Sequence, residues 1–225
     1  MLRYCHCDLS QSNTRSFIEA LATAEDQHHA ERYKRPARSL QSLAGRALIR
    51  ALVRQSGVAT PEAFEIETSP AGRPNGRLGN VVFDISISHS DDLVAAALTD
   101  IGPIGIDVEH EKTTRAYRQI AERIFGAQEQ QSVQQEGSAA FYRIWTLREA
   151  FAKARDVSFA EVLAPTDHFG SVKDLSSRQI ANRPWLFRHQ RCGAAYSLSL
   201  ALTSPTRAGL DEATAVLQQE TLLLP

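Results

Sequence analysis

Apolar residues alternate strictly with small or acidic ones along Gly102-Pro103-Ile104-Gly105-Ile106-Asp107-Val108-Glu109. This pattern predicts a strand with Ile104, Ile106 and Val108 on one face and Gly105, Asp107 and Glu109 on the other. Segments 64–68 and 83–90 alternate in the same way, 93–98 is an unbroken apolar run, and 1–9 reads as a first strand. Short polar turns at Asp91-Asp92 and at 100–103 join 83–90, 93–98 and 104–109. These three are therefore expected to form an antiparallel meander, with His89 and Asp107 at neighbouring strand ends.

Helical spacing marks the remainder. Phe17, Ile18, Leu21 and Ala24 predict one helix over 14–30, and Pro36 is expected to interrupt any helix in the basic segment 31–38 that comes after it. The clearest helix is 39–54: Leu40, Leu43, Ala44, Ala47, Leu48, Ala51 and Leu52 form its stripe, and Arg46, Arg50 and Arg54 are read as a solvated face opposite. Ser69 to Gly76 is dense in turn formers and reads as a loop. Ala116, Ile120 and Ile124 mark a further helix, 128–137 reads as a glutamine-rich linker, and 139–155 as a second strong helix. From 159 onward short strands and loops are expected, ending in the alternating 194–203.

Segments 93–99 and 194–203 resemble each other roughly 100 residues apart, each after a helix-containing stretch. Two related α+β halves explain this, and so does coincidence between two buried strands.

Composition narrows the class. The chain has 225 residues, room for one large domain or two, with 25 Lys and Arg against 26 Asp and Glu. That balance gives no sign of nucleic acid or an anionic membrane as partner. Three cysteines without a CxxC pair argue against a disulfide framework and suit a reducing cytosol. No signal peptide is recognised, and the longest apolar run, 93–98, is far below the roughly 20 residues that span a bilayer. A cytoplasmic enzyme is the expectation.

Three groups of residues carry candidate chemistry. Asp107 and Glu109, about 6 to 7 Å apart on one strand face, can converge on a hard divalent cation such as Mg²⁺, or simply end a strand in solvent. Phe141, Trp145, Glu149 and Lys153 are each four apart and share a helix stripe, where the carboxylate and ammonium form either part of a site or a helix-supporting pair. Four cations within 32–38 form either a solvated face or a polyphosphate contact. On the residues alone, a Mg²⁺-dependent phosphohydrolase and a non-catalytic nucleic-acid binder using the basic segment 32–54 both stay open.

Gly105-Ile106-Asp107-Val108-Glu109, followed some forty residues on by Trp145-Thr146-Leu147-Arg148-Glu149-Ala150-Phe151-Ala152-Lys153, resembles the paired signature of the 4′-phosphopantetheinyl transferases, G-[IV]-D-[IV]-E and W-x-x-K-E-x-x-x-K. Gly72-Arg73-Pro74, Ile87-Ser88-His89-Ser90 and Ala44-Gly45-Arg46-Ala47-Leu48 are similar to further elements of that family. The length resembles its Sfp-like, pseudo-dimeric branch. The sequence departs from the pattern at Arg148, where lysine is usual, and at Gln41, where some members carry an arginine. It departs again at Ala154-Arg155-Asp156-Val157, in place of a glycine-rich turn.

The resemblance implies an α+β fold of two similar halves related by pseudo-twofold symmetry, each with a small, mainly antiparallel sheet and a long packing helix. The halves would be 1–103, with coenzyme A contacts, and 104–225, with the metal carboxylates and signature helix. It implies transfer of the phosphopantetheine arm of coenzyme A to a serine of an acyl or peptidyl carrier protein, by a cytoplasmic monomer with neither nucleic acid nor membrane as partner. Asp107, Glu109 and Glu149 would hold Mg²⁺, with Glu149 and Lys153 catalytic. Arg38, Arg46, Arg73, Ser88, His89, Arg148 and Lys153 would contact coenzyme A. Glu149 would take the serine proton directly or through a water. Trp145 reads as a packing residue, and a structural role is the favoured reading of Glu129 in its F-x-x-x-E segment.

Overall fold

A computed structural model describes residues 1–69, 72–158, 160, 163, 165–218 and 222–223. The chain forms two α+β units, one of residues 1–100 with the strand Leu222–Leu223 and one of residues 101–218.

In the first unit, β1 (Leu2–Asp8) leads into α1 (Thr14–Leu21), α2 (Ala24–Glu31) and α3 (Pro36–Ser56). Four strands follow: β2 (Glu65–Thr68), β3 (Pro74–Leu78), β4 (Val81–Ser90) and β5 (Leu93–Thr99). Leu222–Leu223, the last strand of the chain, lies parallel to β1, and the remaining pairs are antiparallel in the order β1-β5-β4-β3-β2. Ala44, Ala47, Leu48, Ala51 and Leu52 of α3 are buried in a core with Cys5, Cys7, Ile85, Val94 and Leu98.

Four expectations change here. The helix expected over 14–30 is two helices, because Thr23 caps α2: its hydroxyl accepts from Asp26 N and its own N–H donates to Asp26 Oδ2. No helix runs through 31–38, and α3 starts at Pro36 itself instead of at 39, since the first turn needs no N–H there. The turn-rich 69–76 is not all loop, for β3 starts at Pro74, a residue tolerated at a strand's first position; Pro70 and Ala71 lie outside the described residues.

The fourth change concerns the arginine row. Arg46 and Arg50 are buried, not solvated, and both converge on the fully buried Asp26. Arg46 Nε donates to Asp26 Oδ1 at 2.5 Å and its Nη2 to the Ile66 carbonyl at 3.0 Å. Arg50 donates to Asp26, Thr23 and the carbonyls of Pro61 and Phe64. Burial alone would raise the Asp26 pKa, but hydrogen bonds from Arg50, Thr23 and Arg46 prevail and bring it down to about 2. A buried charge is tolerable only when paired this fully.

The second unit repeats the plan. It runs β6 (Ile104–His110), α4 (Tyr117–Ile124), α5 (Ala127–Glu136), α6 (Ser138–Arg155), β7 (Leu175–Ile180), β8 (Arg183–Cys192), β9 (Tyr196–Thr203) and α7 (Arg207–Leu217). Its sheet is antiparallel in the order β6-β9-β8-β7. In both units the first strand pairs with the last strand of the hairpin chain, β1 with β5 and β6 with β9, while one long helix packs on the sheet. The likeness between 93–99 and 194–203 is thus the likeness of β5 to β9, each flanked on both sides by strands of its own sheet.

The expected three-strand meander ends at β5, because β6 pairs with β9 in the second sheet. The expected linker 128–137 is helix α5. Its apolar content is low, but Val133 is buried and the fully buried Glu129 is ion-paired with the fully buried Arg148 of α6. Helix α7 was not foreseen; Leu210, Ala213 and Leu217 bury its inner face and Thr206 caps it through Gly209 N.

Candidate functional site

On β6, Ile104, Ile106 and Val108 are buried on one face, and Gly105, Asp107 and Glu109 alternate with them on the other, under α6. The approach is close. A β-carbon on Gly105 would lie 1.9 Å from the Ala150 carbonyl oxygen and 2.7 Å from Ala154 N, so only glycine admits the helix at this distance.

The helix residues that meet the sheet recur at helical spacing. Thr146 Oγ1 is 2.7 Å from Ser199 Oγ, Ala150 and Ala154 sit over Gly105, and Lys153 Nζ donates to Asp107 Oδ1 at 2.7 Å and to the Ile106 carbonyl at 3.1 Å. The stripe Phe141, Trp145, Glu149, Lys153 accordingly passes from the fully buried Phe141 to the half-buried Glu149 and Lys153 at the sheet margin.

Electrostatics tie the acids together. The Glu149 carboxyl is pushed up to about 7, first by burial and then by the negative charge of Asp107; Lys153 works against the rise and Glu109 adds a little to it. Glu109 is ion-paired with Arg115 at 3.5 Å, and the Arg115 guanidinium stands over the rings of Tyr142 and Trp145 at 5.3 and 5.8 Å. Strand register aligns Asp107 with Ser199 and His189, and Glu109 with Ser197 and Arg191, in adjacent rows across β6, β9 and β8. His189 Nδ1 is 3.2 Å from Ser199 Oγ. Burial, then Arg143 and Arg191, bring the His189 pKa down to about 4.

Sequence reasoning passed over Arg115, Thr146, Ser199 and His189. The available signal was the alternation of β9, in which Ser197 and Ser199 fall on the face that also holds Ala201 and Thr203, in register with the acids of β6.

A hard divalent cation suits this donor set in chemistry, since all three candidates offer carboxylate oxygen and their mutual repulsion already raises Glu149. Among the described residues, no three His, Cys, Asp or Glu side chains are gathered so that they could hold a metal as they stand. Binding would require the three carboxylates to turn towards a common point and Asp107 to share its oxygen with more than Lys153.

The expected phosphate contacts divide into two groups. In the first unit, Arg73 Nη2 donates to both oxygens of Asp84 at 2.7 and 2.6 Å, Arg38 stands 5.0 Å over the Tyr33 ring, Ser88 is buried and His89 half-buried near the end of β4. Arg46 is a correction: its buried guanidinium is engaged by Asp26 and Ile66, which leaves no face for a ligand. Arg148 is a second: it is fully buried, donating to Glu129 Oε2 at 3.0 and 2.5 Å and to the Thr166 carbonyl at 2.8 Å. Glu129 accepts from Phe169 N as well, at 3.1 Å. Asp156, where family members carry a glycine-rich turn, adopts the left-handed conformation at φ 54° that ends α6.

This arrangement, two acids on a strand beneath a helix that carries a third acid and a lysine one turn on, falls wholly inside residues 103–204, which match the family model of the 4′-phosphopantetheinyl transferase superfamily. Curated relatives point to the same superfamily. The chain is 33% identical over 152 residues to the 4′-phosphopantetheinyl transferase psf-1 of Bacillus pumilus, covering 64% of each chain. It is 29% identical over 139 residues to the 4′-phosphopantetheinyl transferase AcpT of Salmonella typhi, covering 60% of this chain and 64% of that one. It is 24% identical over 162 residues to the 4′-phosphopantetheinyl transferase HetI of a Nostoc species, covering 67% and 68%. The chain thus spans slightly less than two thirds of the length of psf-1 and AcpT.

Proposed function

We propose that the chain is a 4′-phosphopantetheinyl transferase of the Sfp-like, two-halves-in-one-chain branch, moving the phosphopantetheine arm of coenzyme A to a serine hydroxyl of an acyl or peptidyl carrier protein. It would act as a cytoplasmic monomer; no helix among the described residues is long and apolar enough to cross a membrane. The observation that supports this reading is the close seating of α6 on β6 at Gly105, which sets Lys153 Nζ 2.7 Å from Asp107 Oδ1 and puts Glu149 one turn earlier on the same helix.

Asp107, Glu109 and Glu149 are the residues that would hold Mg²⁺, and a bound Mg²⁺ would neutralise charge on the pyrophosphate as the bond to the leaving phosphate lengthens. Lys153 would turn its ammonium from Asp107 towards the pyrophosphate oxygens, a short move for a partly exposed side chain. Glu149 would take the serine proton directly or, when it holds the metal, through a water that relays it. The serine oxygen then bonds to the phosphorus carrying the pantetheine arm, the bond from that phosphorus to the bridging oxygen breaks, and adenosine 3′,5′-bisphosphate leaves with the electron pair. Arg38, Arg73, Ser88 and His89 are proposed contacts for coenzyme A; Arg46 and Arg148 are not, because buried carboxylates already engage them.

Incubation of the purified chain with coenzyme A, Mg²⁺ and an apo carrier protein tests this. Mass spectrometry is expected to show the carrier gaining one phosphopantetheine. Hydrolysis of coenzyme A without that gain would replace the transferase by a phosphohydrolase.

A further inference from the structure

Each acid of β6 has a cation beside it. Asp107 has Lys153 at 2.7 Å, and Glu109 has Arg115, whose Nη2 donates to Glu109 Oε2 at 3.5 Å. The proposed transfer gives Lys153 a task and Arg115 none. Arg191, which stands in the cross-strand row of Glu109, is engaged by Glu111 at 3.1 Å.

Contacts that do not involve Glu109 keep Arg115 where it is. Its guanidinium lies over the Tyr142 and Trp145 rings of α6 at 5.3 and 5.8 Å, and its backbone N–H donates to the Lys112 carbonyl at 3.2 Å. That carbonyl also accepts from the Tyr142 hydroxyl at 3.0 Å, so segment 112–115 is tied to the turns of α6 that precede Glu149. The ion pair itself is loose. Arg148 meets Glu129 at 3.0 and 2.5 Å with both side chains fully buried, whereas Arg115 reaches Glu109 at the limit of a hydrogen bond and the two side chains are 24% and 22% exposed.

We propose, on the reading of Asp107, Glu109 and Glu149 as metal ligands, that Arg115 is the counterion a divalent cation must displace from Glu109, and that it thereby sets how tightly the acids bind metal. A carboxylate oxygen shared with a guanidinium has less negative charge to offer, and a guanidinium next to a cation repels it. Because the two rings retain Arg115, Glu109 can turn away without loosening the segment. Arg115 is thus a positioning residue, acting through Glu109.

The test titrates the full chain with Mn²⁺ alone, the free ion being read from its electron paramagnetic resonance signal, and repeats the titration with Mg²⁺ as competitor. Arg115→Met keeps an unbranched side chain against the rings without the charge, and should bind both ions about threefold more tightly, the factor an ion pair of this exposure is worth. Arg115→Gln is a second neutral variant with the same expectation. Arg115→Lys keeps the charge and should stay close to wild type, as should Arg118→Met, which removes an exposed cation three residues on. A purely structural Arg115 would lower the thermal midpoint of the neutral variants with no gain in affinity, and that result overturns the proposal. So does an equal gain in Arg118→Met, which would mark a general effect of charge. Binding by neither wild type nor the neutral variants overturns the metal reading itself, whereas binding by wild type that both neutral variants leave unchanged overturns only the part given to Arg115. Carrier modification by the wild type, measured beside these titrations, tests the transferase reading on its own.

Discussion

A β-carbon on Gly105 would stand 1.9 Å from the carbonyl oxygen of Ala150, a distance no side chain can occupy. The strand and helix bearing the candidate carboxylates meet at this point, so the glycine of the G-I-D-V-E stretch sets how far Lys153 and Glu149 stand from Asp107. Gly105→Ala must push α6 outward against backbone, not against a flexible side chain. It is expected to lower stability by about 3 kcal/mol, the upper range for overpacking, and to reduce carrier modification together with the thermal midpoint. Calorimetry of the variant that finds the midpoint unchanged would contradict this account.

Lys153 and Asp107 share a 2.7 Å ion pair at the rim of the unit, with Lys153 partly exposed. Asp107→Asn keeps the shape of the side chain and releases an ammonium that can turn to solvent, so folding should be little affected. Transfer should fall by about 100-fold or more, as when a group that stabilises developing charge is removed. Circular dichroism and single-turnover carrier modification read the two effects separately. If the reading is right, chelation of divalent metal from the wild type should give a comparable loss, restored by adding Mg²⁺.

Much of this site was legible from spacing. Alternation placed Gly105, Asp107 and Glu109 on one strand face, and the four-residue interval put Glu149 and Lys153 on one helix stripe, because both periods follow from backbone geometry. Partner choice for charges was not legible. Arg46, Arg50 and Arg148 look like solvated or ligand-binding cations in a one-dimensional pattern, yet each is buried against an acid 19 to 24 residues away, a relation only folding creates. Strand partnership was hidden for the same reason: the short turn before β6 suggested continuation of one sheet, whereas β6 completes another by pairing with β9 nearly 100 residues on. Helix α5 escaped notice because its stability rests on Glu129 and Val133 rather than on an apolar stripe.

Asp26 should be the most sensitive charged residue of the first unit. Asp26→Ala leaves two guanidinium groups buried without their carboxylate, a defect that costs about 3 to 5 kcal/mol. The ion cluster also sets an acid limit. A carboxyl with its pKa lowered from 3.8 to about 2 contributes stability that is fully present above 3.8 and lost as pH falls through 2. The loss should amount to about 2 kcal/mol and be absent in Asp26→Asn, measured by urea unfolding between pH 5 and pH 2.

His189 gives a second pH dependence, at higher pH and of larger size. Its pKa is about 4 in the folded protein against 6.5 for an ordinary histidine, so the unfolded chain binds the proton first. Stability is unaffected above 6.5 and declines as pH falls from 6.5 towards 4, by about 3 kcal/mol at the lower end. His189→Gln retains a polar partner for Ser199 without a titrating ring, and should flatten the urea midpoint over that range. A slope unchanged in the variant would assign the effect to another group.

The turn at Ala181-Asn182 supplies a prediction of opposite sign. Ala181 sits at φ 52° in a two-residue hairpin loop where both positions require the left-handed region. Glycine pays no steric penalty there, though its greater freedom in the unfolded chain takes back part of the gain. Ala181→Gly should therefore stabilise the protein by about 0.5 to 1 kcal/mol, raising the thermal midpoint by roughly 2 °C. Transfer activity should not change, since the turn lies at the end of the sheet away from Asp107 and Glu149. A midpoint that falls instead would mean that the alanine methyl makes packing contacts worth more than the strain it carries.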